Sequence, residues 1–75
     1  MHPYKNLNGN SEIHSFETAE DSITVQFNDG DTYVYNTGSA GADNIEHMKK
    51  LALTGTGLHS FINNNVRNRY AYKIE

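Results

Sequence analysis

The chain has 75 residues, a formal net charge of −3 and no cysteine, enough for one domain but not two. Without thiols, neither disulfides nor thiolate-bound zinc can supplement a small core, a composition that suits a reducing cytoplasm. The N-terminus MHPYKNLNGN lacks an apolar core of the signal-peptide kind, and no apolar run approaches ~20 residues, so the expectation is a small soluble cytoplasmic protein with no membrane span.

Residues 1–10 are polar, rich in Asn and Gly and without periodicity, and read as a flexible N-terminal tail. Residues 11–75 then form the single domain. Residues 11–18 (SEIHSFET) read as a first strand. Its two large apolar residues, Ile13 and Phe16, have odd spacing, which calls for a β-bulge or for one ring on the thinly covered face. Ala19-Glu20-Asp21-Ser22 is a turn. Ile23, Val25 and Phe27 then alternate with Thr24, Gln26 and Asn28, the pattern of a strand with one buried face.

Asn28-Asp29-Gly30 is a strong hairpin signal, and its loop length decides where the following tyrosines point. A two-residue loop would send Tyr33 and Tyr35 to the face of Thr24 and Gln26. A three-residue loop, with Gly30 in the left-handed region, sets Val25 against Tyr33 and Ile23 against Tyr35. The second register buries far more apolar surface and is the expected one, leaving Val34 on the other face.

Asn36–Ala42 reads as a connection of small residues, followed by Asp43 as N-cap and Glu46 as its capping-box partner. Residues 44–54 place Ile45, Met48, Leu51 and Ala52 on one helical face. Gly55-Thr56-Gly57 ends that helix. Residues 58–70 form a second, with Leu58, Phe61, Ile62, Val66 and Tyr70 at spacings of three and four, and residues 71–74 form a short extended tail. The expected fold is α+β: a three-stranded antiparallel meander followed by two helices packed on one face (β-β-β-α-α). The open edges of such a sheet invite pairing with a second chain.

Catalytic chemistry finds no support. His2, His14, His47 and His59 fall on different elements with no i,i+3 or i,i+4 pair, there is no HExxH, and Ser60 beside His59 cannot face it on a helix. Paired acids such as Asp29 and Asp31 sit where turns want them. No enzyme, metal site or cofactor is expected.

Charge is unevenly distributed. Residues 1–46 carry eight acids against Lys5, a net of −7, whereas residues 47–75 carry Lys49, Lys50, Arg67, Arg69 and Lys73 against Glu75, a net of +4. The run Arg67-Asn68-Arg69-Tyr70-Ala71-Tyr72-Lys73 interleaves cations with rings, as binders of single-stranded nucleic acid do.

Phe27, Gly30 and Tyr33-x-Tyr35 resemble the central F…G…YxY of the KTSC domain, a C-terminal extension of some lysyl-tRNA synthetases also found as small stand-alone bacterial and phage proteins. Gly57, Asn63, Val66-Arg67 and Tyr70 resemble the second half of that family's pattern. The chain departs from it at Ile62, where an aromatic is common, and in the extra Gly55-Thr56. The resemblance implies RNA association by analogy with the synthetase. The expected function is therefore a non-enzymatic binding module, holding RNA or single-stranded nucleic acid weakly through Lys49, Lys50, Asn63, Arg67, Arg69 and Lys73. The alternative is a protein–protein or self-associating adaptor that uses an exposed sheet edge or the face around Val34.

Overall fold

The computed structural model describes residues 1–7, 9 and 12–74. It is α+β, with a sheet of five strands rather than three: β1 (His2–Pro3), β2 (Ile13–Ala19), β3 (Ser22–Phe27), β4 (Thr32–Asn36) and β5 (Tyr72–Ile74), antiparallel in the order β1-β2-β3-β4-β5. The three expected strands are its centre. The two added strands come from segments with no alternating pattern of their own, and they form because β2 and β4 offer unpaired backbone edges.

The segment expected to be a tail is partly built into the domain. His2 pairs with Phe16 and Pro3 with Ser15, and Tyr4 is only 6% exposed. The Tyr4 hydroxyl accepts a hydrogen bond from the Leu58 N–H at 3.3 Å, satisfying a donor at the first turn of a helix. Leu7 N–H donates to Gly55 O at 2.8 Å, which fastens the segment to the end of the preceding helix.

The β3–β4 hairpin takes the three-residue loop. Gly30 has φ 96°, Phe27 N–H donates to Asp31 O at 2.8 Å, and Gly30 N–H returns to Phe27 O at 3.0 Å. Asp29 Oδ1 accepts from Asp31 N–H at 3.0 Å. Val25 therefore faces Tyr33 and Ile23 faces Tyr35, the register that buries the most apolar surface. The odd spacing in β2 is resolved by an irregularity between Ile13 and Ser15 that lets both Ile13 and Phe16 enter the core.

Helical pieces come next. The connection after β4 is a short helix, α1 (Thr37–Ala40), with a capping box of its own: Ser39 N–H donates to Asn36 Oδ1 at 2.8 Å and Asn36 N–H to Ser39 Oγ at 3.1 Å. The box expected at Asp43 and Glu46 is absent, because α2 (Ala42–Thr54) starts from Gly41 and already holds Asp43 in its first turn. There its charge suits the positive end of the helix. Helix α2 stops at Gly55, φ 85°, whose N–H donates to Leu51 O. Helix α3 (Leu58–Phe61) runs into a π-helical segment, Ile62–Val66, so the expected helix of residues 58–70 ends early and Tyr70 lies beyond it.

Ile45, Met48 and Ala52 of α2, Leu58 of α3, and Ile62 and Val66 of the π segment cover Ile23, Val25, Tyr35 and Phe16. No helix among the described residues is long and apolar enough to cross a membrane.

Candidate nucleic-acid interface

A chemically varied concavity lies where β3 and β4 meet the π segment. This cleft of about 260 Å³ is lined by Phe27, Tyr33, Tyr35, Ile62, Asn63, Arg67, Asn68 and Tyr70. Alternation on β3 and β4 brings Phe27, Tyr33 and Tyr35 to the helix-covered face. The π segment supplies the opposite wall. Its i→i+5 bonding puts an extra residue in the turn and rotates the residues beyond it by ~100° relative to a regular helix.

After Val66 the chain reverses. Arg69 N–H donates to Val66 O at 2.9 Å, and Ala71 N–H to Val34 O at 2.6 Å as the chain enters β5. Tyr70, held between these two bonds, is laid across β4. Its ring centroid is 4.8 Å from that of Tyr33 and 6.4 Å from that of Tyr35, the latter pair edge-to-face. Phe27 extends the ring array, 5.8 Å from Tyr33 and 6.1 Å from His59.

The rings differ in what they leave open. Tyr35 is 1% exposed, Tyr33 is half-buried and Tyr70 is 40% exposed. Burial, then the neighbouring phenols of Tyr33 and Tyr70, push the Tyr35 hydroxyl up to about 12, so it stays neutral through the physiological range. Asn63 Nδ2 lies 3.3 Å from His59 Nε2, which is in turn 3.6 Å from Glu12 Oε2. This links the wall of the cleft to the residue that leads into β2.

The six polar residues singled out in the sequence do not share one surface. Asn63 and Arg67 line the cleft together. Lys73 stands beside it, 5.8 Å over the Tyr33 ring and 3.3 Å from Asp31 Oδ1. Arg69 is exposed on the turn before β5. Lys49 is held at the β2–β3 turn, its ammonium donating to Glu20 O at 2.8 Å and lying 3.9 Å from Glu46. Lys50 is exposed on α2 beside Asp43, Glu46 and His47. Neither α2 lysine lines the cleft that holds Arg67.

Asn68, Phe27 and Tyr35 are cleft residues that the charge pattern did not point to. Only the turn chemistry of Gly30 and the π segment bring them together. The features of the alternative reading are also altered: β1 and β5 pair along the central meander's edges, and Val34, opposite Tyr72, is only 5% exposed. Among the described residues no group of three His, Asp or Glu side chains could hold a metal ion. No family model, curated protein or solved structure matches the chain.

Proposed function

We propose that the chain is a small non-enzymatic binding module, similar to the KTSC domain, that takes single-stranded nucleic acid weakly at the Tyr33–Tyr70 cleft. The observation that carries this reading is Arg67. Its guanidinium makes no ion pair or hydrogen bond among the described residues, and it lines a cleft whose other walls are rings, amides and Ile62. Cation, stacking surface and amide donors and acceptors are what single-stranded recognition uses. Of the nine positions on which the KTSC resemblance rests, Phe27, Tyr33, Tyr35, Asn63, Arg67 and Tyr70 line this cleft, while Gly57 and Val66 do not. The ninth, Gly30, bends the hairpin that supplies Phe27 and Tyr33. Lys49 and Lys50 fall outside the reading, because neither lines the cleft.

A single cleft cation in a chain of net charge −3 means few released counterions. The logarithm of affinity should fall with the logarithm of salt at a slope of only about −0.7 to −1.4, one or two phosphates. Fluorescence anisotropy of a labelled short RNA tests this. Binding with that slope, lost in Arg67→Ala and kept in Lys49→Ala, supports the module. No binding at ~50 mM salt, or binding indifferent to Arg67, refutes it.

A further inference from the structure

We propose that the cleft is a pocket for one nucleotide unit, its phosphate on Arg67 and its base edge met by the Tyr35 hydroxyl and the Asn63 and Asn68 amides. This deepens the reading above and rests on it. The cleft is small. At about 260 Å³ it lies just under the ~300–1,000 Å³ range of drug-sized ligands, so it admits one base and not a run of stacked ones.

Its walls are selective. Among the described residues Arg67 is the sole charged side chain lining it, and no carboxylate does, although the chain carries nine. That arrangement admits an anion and gives it one seat. Tyr70, 40% exposed, and the half-buried Tyr33 put aromatic surface on the cleft wall.

The Tyr35 hydroxyl makes the case for a ligand in particular. The residue is almost wholly buried, and its oxygen has no hydrogen-bond partner among the described residues. No buried side-chain polar atom of those residues is orphaned, so this oxygen keeps some contact with solvent, and the cleft that Tyr35 lines is where a ligand would meet it. A neutral phenol there donates one hydrogen bond and accepts others, and Asn63 and Asn68 each add a donor and an acceptor. Together they can meet the mixed edge of a nucleobase, which an apolar cleft could not.

A free mononucleotide and an unpaired nucleotide within a strand present the same chemistry. The test titrates the full chain with the four 5′-mononucleotides, their nucleosides, inorganic phosphate and trinucleotides, following backbone amide shifts by NMR. Mononucleotides should move the amides of Ile62, Asn63, Arg67, Asn68 and Tyr70. Nucleosides should bind at least ~10-fold more weakly, and phosphate alone should leave the tyrosine ring signals in place. Tyr35→Phe, which keeps the buried ring, should weaken mononucleotide binding about 5-fold. Asn68→Ala, at an exposed position, gives a second reading of the same kind should the first variant be unstable.

A trinucleotide within a few-fold of the mononucleotide assigns the strand as a source, whereas one bound much more weakly assigns the free nucleotide. Trinucleotides bound more than ~100-fold tighter would mean an extended groove and overturn the single-unit pocket. So would mononucleotides that leave the cleft amides unmoved at ~10 mM, or Tyr35→Phe and Asn68→Ala both binding like the parent. If labelled RNA still binds through Arg67 in those cases, the pocket falls and the module stands. If RNA does not bind either, both fall.

Discussion

Tyr70 lies against Tyr33 at a centroid separation of 4.8 Å, although one is on a connector leaving a π-helical turn and the other is in the middle of a sheet. The contact exists because the backbone on either side of Tyr70 is tied down, to Val66 and to Val34. A residue that periodicity would assign to the buried face of a helix is instead 40% exposed and forms the lip of a cleft.

Removing that lip should separate binding from folding. Tyr70→Ala loses a partly exposed ring and one aromatic pair, so unfolding in urea should register no more than about 1.5 kcal/mol. RNA affinity should fall by roughly 10-fold, the scale of one lost stacking contact, and Tyr70→Phe should restore most of it.

Alkaline titration reports on Tyr35. Its phenol ionises near 10 in the unfolded chain and at about 12 in the folded one. Below pH 10 both states hold the proton and its contribution to stability is fully present. Between pH 10 and 12 the unfolded chain releases the proton first, and stability falls by up to about 1.4 kcal/mol per pH unit. Denaturant melts at pH 9, 10 and 11 should show that decline, and Tyr35→Phe should reduce it. Absorbance at the tyrosinate band should show one late step in the parent and none in the variant.

The N-terminal segment should behave as part of the domain. Tyr4→Ala removes a buried ring and is expected to cost about 3–5 kcal/mol. Tyr4→Phe keeps the ring but leaves the buried Leu58 N–H without its acceptor, at a cost of roughly 1–3 kcal/mol. Chemical denaturation of the two variants separates packing from the hydrogen bond. Equal stability of Tyr4→Ala and the parent would mean the segment is undocked.

Gly55 is the other half of the same joint. Its φ of 85° already disfavours a side chain, and an added Cβ would stand 2.5 Å from the Lys5 Cβ. Gly55→Ala should therefore destabilise by more than the roughly 1 kcal/mol of a simple left-handed cap. Hydrogen exchange should show faster opening at Tyr4 and Leu7, whose amides bond to His14 and Gly55. Gly30→Ala, at a position with open space around it, should cost less.

The central hairpin is legible from residues alone. Alternation over Ile23, Val25 and Phe27, a glycine at the one position that needs positive φ, and the gain from burying Tyr35 all select one register. A fully buried tyrosine is worth roughly 4–6 kcal/mol at ~25 cal/mol per Å², an upper bound that still outweighs any turn preference. The irregularity in β2 is legible for the same reason, since two large apolar residues at odd spacing cannot otherwise share a face. The end of α2 at Gly55 is written in the glycine pair.

Tertiary structure decided the rest. His2 and Pro3 have no strand pattern, and Tyr72–Ile74 only a trace of one. They become strands because the edges of β2 and β4 have backbone donors and acceptors to satisfy, a demand that belongs to the neighbour and not to the segment itself. The π turn at Ile62–Val66 is likewise invisible to a 3.6-residue period, so Tyr70 and Asn68 could not be placed beforehand. The sequence counts the cations correctly but does not show which of them share a surface: Lys49 and Arg67 belong to one basic half of the chain, yet Lys49 is tied to the turn before β3 and only Arg67 lines the cleft. Periodicity and turn chemistry act over a few residues and are written locally. A binding cleft is made of side chains from three separate elements, and only their packing brings a cation, two amides and three phenols to one place.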